Sequence, residues 1–484
     1  MLSFCVPVYN PDLQLLEKCV KSLIEQSLSD WEAVFVLDGP NDAAKALLRR
    51  LFKKLPGRSR IVETPHGGAP RARNEAFRHC SGKYVVFWDA DCLIEVHAAQ
   101  AWVDILDRDR DIGFVYSGYK FLDERGAIAS EPFDPWLLRV NNYISTCFPL
   151  RRELVPGWDE SLESLQDWDF WLSVVERGAK GKFLAGYAFS TAVPSKDSIS
   201  GKGCSAGNWL KRLEAVKSKH NIPIREVCVT SVSDKLDGLA LAKMLDADYR
   251  DGPNDKPNRY KTIIQIGFSL DPAYSETHAR QWGADHKKIL FWTSDNVEEI
   301  HNAVGLRTLT EYASRLNQAC KQYVEDKASK DIMSRAGFQT EILPLPMLND
   351  SPAEMPKEPA FLVECSNAYQ NVIEAIKKSL PDVRLEVNVG PKKIENFSGM
   401  LHFHMDRVQS SYAKRMLLNG RHLVSNIQSP FCGFTNDMVT DEEFIISVVE
   451  RVRKLNKMGP NVNAINYYTQ SLNKENLIKV LGAK

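Results

Sequence analysis

Hydrophobic residues recur along the first ninety positions with two alternating periods. A β-branched, apolar run at 3–8 predicts a buried strand, followed by the polar turn Tyr9-Asn10. Pro11 and Asp12 open a helix whose apolar positions include Leu16, Val20, Leu23 and Ile24. A second strand is expected over 33–37. A second helix follows, capped by Asn41 or Asp42, with Ala44, Leu47, Leu48, Leu51, Phe52 and Leu55 at helical spacing. A short strand at 61–63, a helix at 70–79 and an apolar strand at 84–88 running into Asp89 complete the series. Strands alternating with amphipathic helices specify βαβ units around a mainly parallel sheet.

Beyond residue 113 the pattern loosens into Pro- and Trp-rich chain until a helix expected at 167–177. A Ser-, Gly- and Lys-rich loop is expected at 194–207, and two prolines and a glycine make 251–258 a linker. A second α/β series then begins, with strands expected at 262–267, 289–292 and 341–345. After a Pro-rich break at 351–359 come strands at 361–364, 384–389 and 400–404, and helices at 371–380 and 442–457. The expected organisation is a domain over 1–215, a helical connector and linker over 216–260, and two further lobes over 261–350 and 351–484.

Composition narrows the function classes. Lys plus Arg and Asp plus Glu both number 62 in 484 residues, so bulk charge does not favour a nucleic-acid partner. No run approaches the ~20 apolar residues of a spanning helix, and the first residues lack a signal-peptide pattern. The 10 cysteines form no C-x-x-C pair, which fits reduced thiols and a cytoplasmic setting. The basic run Arg49, Arg50, Lys53, Lys54, Arg58 and Arg60 reads as the solvated face of an amphipathic helix.

Three strands end in polar residues: Tyr9 and Asn10, then Asp38, then Asp89 and Asp91. In open α/β sheets ligands bind beyond the carboxyl ends of the strands, so these ends define a pocket. Asp89 and Asp91 offer two hard oxygen donors suited to a divalent cation that bridges to a diphosphate.

The order V-P-V-Y-N, a strand ending in Asp38, Gly68-Ala-Pro-Arg-Ala-Arg-Asn74 and Trp88-Asp-Ala-Asp91 resembles family 2 glycosyltransferases of the GT-A fold. Gly157-Trp-Asp-Glu-Ser-Leu162 and Gln166-Asp-Trp-Asp-Phe-Trp171 resemble that family's acceptor side. The resemblance covers about the first 205 residues and implies a mixed Rossmann-like sheet. It also implies that Pro7, Tyr9, Asn10, Asp38, Arg73, Asp89 and Asp169 bind the nucleotide sugar, that Asp89 and Asp91 hold Mn²⁺ or Mg²⁺, and that Asp167 is the catalytic base. Gln166 stands where the family usually has Glu, and Cys92 where an acid often follows D-x-D. The loop at 194–200 lacks the usual histidine, leaving Asp197, Ser198 or Ser200 as substitutes.

The second half is similar, more distantly, to a two-lobed GT-B glycosyltransferase. The run from Tyr323, then Ala336-Gly-Phe and Ile342-Leu-Pro-Leu-Pro346, resembles the hinge side. The Arg/Lys pair and spaced glutamates of such donor sites are missing from 367–371 and 408–414, which implies a divergent module serving acceptor binding or assembly. The expected activity is inverting, cation-dependent transfer of a sugar from a nucleotide-diphosphate sugar to a hydroxyl of a glycan-type acceptor. The alternatives are a bifunctional enzyme, glycosylation of a hydroxylated base in DNA, and a non-catalytic nucleotide-sugar or glycan-binding protein.

Overall fold

The structure is a computed structural model of the 484-residue chain. It describes residues 1–53, 58–192 apart from 124, 125, 129 and 131, 206–232 and 235–251. In the second half it describes 260–267, 287–293, 297, 300, 307–324, 327–343, 360–365, 370–387, 399–403, 422–425, 432–434 and 441–455. The substitutes Asp197, Ser198 and Ser200, residues 252–259 of the expected linker, the break at 351–359, most of 367–371 and all of 408–414 lie outside the described residues. The chain divides into two units, Met1–Ile224 and Arg225–Lys484.

The first unit is built on a 9-stranded mixed sheet. Four parallel strands form one side: β1 (Leu2–Val8), β2 (Trp31–Asp38), β3 (Ser59–Thr64) and β4 (Tyr84–Phe87), in the order β3-β2-β1-β4. β1 and β2 are buried over almost their whole length, as expected for parallel strands covered on both faces. The crossover helices are α1 (Leu13–Ile24), α2 (Asp42–Phe52) and α3 (Ala69–His79). The Asp12 carboxylate caps α1 by accepting from the amides of Gln14 and Leu15 at 2.8 and 3.0 Å. Asn41 caps α2 by accepting from the Ala44 amide.

Beyond β4 the sheet turns mixed. β5 (Cys92–Ile94) lies at the far edge, antiparallel to β9 (Lys180–Thr191). β6 (Ile112–Phe121) pairs parallel with β9, with register shifts, and carries the short β7 (Ala127–Ile128). β8 (Leu150–Arg151) joins β4 to β6 by antiparallel pairing. β6, in the Pro- and Trp-rich region, and β9, just before the loop at 194–207, are two long strands the hydrophobic pattern did not predict. Glycines at 113, 118, 181 and 186 interrupt their alternation, and the register shifts between β6 and β9 break it further. Helices α4 (Ala98–Arg108), α5 (Pro135–Val140), α6 (Gln166–Glu176) and α7 (Ala206–Lys219) complete the unit.

The second unit holds two parallel sheets. β10 (Val227–Ser231), β11 (Asp248–Asp251), β12 (Thr262–Ile266), β13 (Lys287–Phe291), β14 (Lys321–Val324) and β15 (Thr340–Ile342) run in the order β11-β10-β12-β13-β14-β15. Helices α8 (Lys235–Leu245), α9 (Arg307–Ala319) and α10 (Lys327–Arg335) belong to this part of the chain. The stretch expected as a helical connector thus supplies two strands flanking α8, because Val-Cys-Val-Thr-Ser at 227–231 is a fully buried β-branched run. The second sheet orders β16 (Ala360–Cys365), β17 (Arg384–Val387), β18 (Gly399–Phe403), β19 (His422–Ser425) and β20 (Cys432–Phe434) as β17-β16-β18-β19-β20. Its helices are α11 (Gln370–Ser379) and α12 (Asp441–Leu455). Among the described residues no helix is long and apolar enough to cross a membrane.

Candidate active site

The carboxyl ends of β1, β2 and β4 place the polar residues singled out above on one side of the first sheet. Pro7 lies in β1, and Asn10 takes a left-handed backbone (φ 41°) that turns the chain out of the strand. Tyr9 is 57% exposed and stacks on His66, with ring centroids 4.2 Å apart and an interplanar angle of 17°. Asp38 is buried at the end of β2 and holds the turn before α3. Its carboxylate accepts from the amides of Gly67 and Gly68 at 2.7 and 2.9 Å and pairs with His66 Nδ1 at 2.9 Å. Gly68 requires its φ of +89°, which an L side chain rarely adopts.

α3 carries Arg73 inward. Its guanidinium donates to Asp89 Oδ1 at 2.9 Å and sits 4.4 Å over the Trp158 ring. Its buried Nε has no hydrogen-bond partner among the described residues, so one donor of the fork remains to be satisfied. Asp91 follows, with its Oδ1 3.9 Å from the Cys92 sulfur. Burial first, and the Asp89 charge second, push its carboxyl up to about 6. A raised carboxylate next to another carboxylate, both hard oxygen donors, fits a divalent cation.

Asp167 lies in the first turn of α6. It accepts from Asn142 Nδ2 at 2.9 Å and from the Trp168 amide at 3.1 Å. Burial raises its carboxyl above the ordinary range; the Arg73 charge opposes this and the Asp89 charge adds to it. Arg73, Asp89 and Asp167 are thus electrostatically coupled. The helix is preceded by Leu165, a bulky residue held in the left-handed region (φ 59°). Trp168 and Trp171 fix α6 by donating from their indoles to the carbonyls of Leu138 and Ser145.

Asp169 goes elsewhere. Two residues from Asp167 on the same helix, it is 2% exposed and pairs with His220 Nε2 at 2.8 Å and Lys219 Nζ at 2.9 Å. His220 reaches on to Glu176 through Nδ1 at 3.0 Å. The structure therefore pairs Arg73 with Asp89, whose charges act on Asp167, and ties Asp169 into a separate ion-pair cluster. Gln166 also turns inward, donating from Nε2 to the Leu162 carbonyl at 2.7 Å.

Sequence reasoning passed over His66, Asn142, Cys147 and the role of Trp158. His66 had a usable signal, since Pro-His-Gly-Gly follows a strand and precedes a helix. Asn142 and Cys147 lie in irregular chain with no motif.

Residues 3–155 match the family described as glycosyl transferase family 2. The chain is 23% identical over 230 residues to an uncharacterized glycosyltransferase of Methanocaldococcus jannaschii, covering 45% of this chain and 76% of that protein. It is 26% identical over 187 residues to a chondroitin synthase of Escherichia coli, covering 37% of this chain but 27% of the synthase. Among solved structures, it is similar to S. aureus TarS 1-349 in complex with UDP-GlcNAc, at 18% identity and a TM-score of 0.40, covering 45% of this chain and 66% of that one. The N-terminal region of this chain carries a glycosyltransferase family 2 domain.

Proposed function

We propose that the first unit is an inverting glycosyltransferase that moves a sugar from a nucleotide-diphosphate sugar to an acceptor hydroxyl. The observation that carries this reading is the coupling of Asp167 to the Arg73–Asp89 pair at the strand ends. Asp89 and Asp91 would hold Mn²⁺ or Mg²⁺, and that cation, when bound, neutralises charge developing on the leaving diphosphate. Arg73 keeps an unsatisfied Nε–H close to Asp89, where a phosphate oxygen would accept it. Tyr9 and His66 offer an exposed aromatic stack, and Asp38 a carboxylate, toward the nucleoside.

Asp167 takes the acceptor's proton as its oxygen bonds to the anomeric carbon, and the nucleoside diphosphate departs with the electrons of the broken bond. Burial favours that task by raising the basicity of the carboxylate. The buried clamp around Asp169 supports an orienting role for it rather than contact with the donor. The two parallel sheets of the second unit support a GT-B-like module serving acceptor binding or assembly.

Asp167→Asn tests the assignment. Transfer should fall by roughly 10²–10⁴ while affinity for the nucleoside diphosphate with Mn²⁺ stays near wild type. Full transfer by the folded variant would remove the base from this segment. Asp91→Ala should abolish the Mn²⁺ dependence of nucleotide binding in calorimetry.

A further inference from the structure

The geometry points to a thiophilic metal site formed by Asp89, Cys92 and Cys147, suited to Zn²⁺ or a similarly soft divalent ion. Cys92 opens β5 and Cys147 lies in the chain before β8, 55 residues apart in sequence, yet their sulfurs are 3.8 Å apart. Two thiolates each ~2.3 Å from one zinc at the tetrahedral angle stand roughly 3.8 Å apart. One ligand atom from each of Asp89, Cys92 and Cys147 lies within 4.8 Å of the other two. The thiols are buried, at 2% and 1% exposure, whereas the Asp89 side chain is 40% exposed and gives a path from solvent.

Asp89 keeps a second oxygen while Oδ1 accepts from Arg73. Asp91 Oδ1 lies 3.9 Å from the Cys92 sulfur, within reach of the fourth position that three protein ligands leave open. Binding releases the two thiol protons to solvent, so a 2+ ion meets two thiolates and a carboxylate. Thiolates select zinc over the harder manganese and magnesium. Because Asp89 belongs to both donor sets, a soft ion here would displace the hard one. That consequence rests on the transferase reading above; the binding itself does not. The competing arrangement is a single S–H···S contact that admits no metal.

The test uses the reduced, metal-free full chain and Co²⁺ as a spectroscopic stand-in for Zn²⁺. One equivalent should produce sulfur-to-cobalt charge-transfer absorption that Zn²⁺ abolishes. Cys92→Ala and Cys147→Ala should each lose the band and bind Zn²⁺ at least about 100-fold more weakly, since losing even an outer-shell partner costs 10–100-fold. Cys147→Ser, nearly isosteric, guards against a folding defect and should lose the band in the same way. Cys80→Ala, on the other close thiol pair with Cys5 at 3.8 Å, should keep it. A wild type without charge-transfer absorption, or a band that survives in both Cys92→Ala and Cys147→Ala, overturns the proposal. In a second arm, Zn²⁺ should suppress Mn²⁺-dependent UDP binding by wild type but not by Cys147→Ala. A cobalt band without such suppression supports the thiol site and instead removes Asp89 from the Mn²⁺ site.

Discussion

Asp91 is protonated up to about pH 6 in the folded chain, well above an ordinary aspartate. A carboxyl raised on folding adds stability below its unfolded value, and this is lost as pH rises through the folded one. Without cation, ionised Asp91 therefore costs the fold on the order of 2–3 kcal/mol above about pH 6. Asp91→Asn should raise Tm at pH 8 and leave it nearly unchanged at pH 4, and Mn²⁺ should stabilise wild type mainly at the higher pH. Thermal melts across pH with and without Mn²⁺ check this; an equal effect of the substitution at both pH values refutes it. Gln166 explains a departure from the family pattern in similar terms. Its amide donates to the Leu162 carbonyl in a buried setting, where a glutamate would press a charge against an acceptor. Gln166→Glu should cost about 1–3 kcal/mol in denaturant unfolding, partly regained at acidic pH, and no loss would mean the bond is not structural.

At the scale of elements, α6 separates two aspartates that look equivalent in the sequence. The side chains two positions apart on a helix meet different neighbours, Asn142 for one, Lys219 and His220 for the other. The motif could suggest both, but it could not show that the last residue of α7 and the one after it would claim Asp169. Burial lowers the His220 pKa, but the Asp169 and Glu176 carboxylates outweigh it and the net shift is upward. Its contribution is therefore fully present below the ordinary histidine value and fades as pH rises through the raised one. His220→Gln should lower stability more at pH 6 than at pH 9, with donor affinity unchanged at both. A variant that loses donor affinity instead would return Asp169 to the binding site. The parallel strands and crossover helices were legible because burial on both faces leaves continuous apolar runs. β6 and β9 were not, because glycines and register shifts erase the alternation that marks a strand.

At the scale of the whole molecule, every residue proposed to carry the chemistry belongs to Met1–Ile224, which is compact by itself. A fragment ending at Ile224 should fold cooperatively and bind nucleoside diphosphate with Mn²⁺ within a fewfold of the full chain, measured by calorimetry. A folded fragment without affinity would place part of the donor site in the second unit. In that unit β12, β13 and β15 to β18 were readable as short apolar runs, whereas β10, β11, β14, β19 and β20 were not predicted, and no charged motif in the sequence assigned the unit a role. Within the first unit, Phe87, Trp158, Phe170, Trp171 and Phe114 form an unbroken chain of ring contacts from β4 through α6 to β6. Trp158 is stacked on Phe170 at 4.3 Å on this chain and lies under Arg73, whose other partner is Asp89. Any ion that draws Asp89 away must loosen the guanidinium from the indole, so the protein carries its own optical gauge. Trp158 emission should register occupancy of the strand ends with no label attached, and Trp158→Phe should silence it.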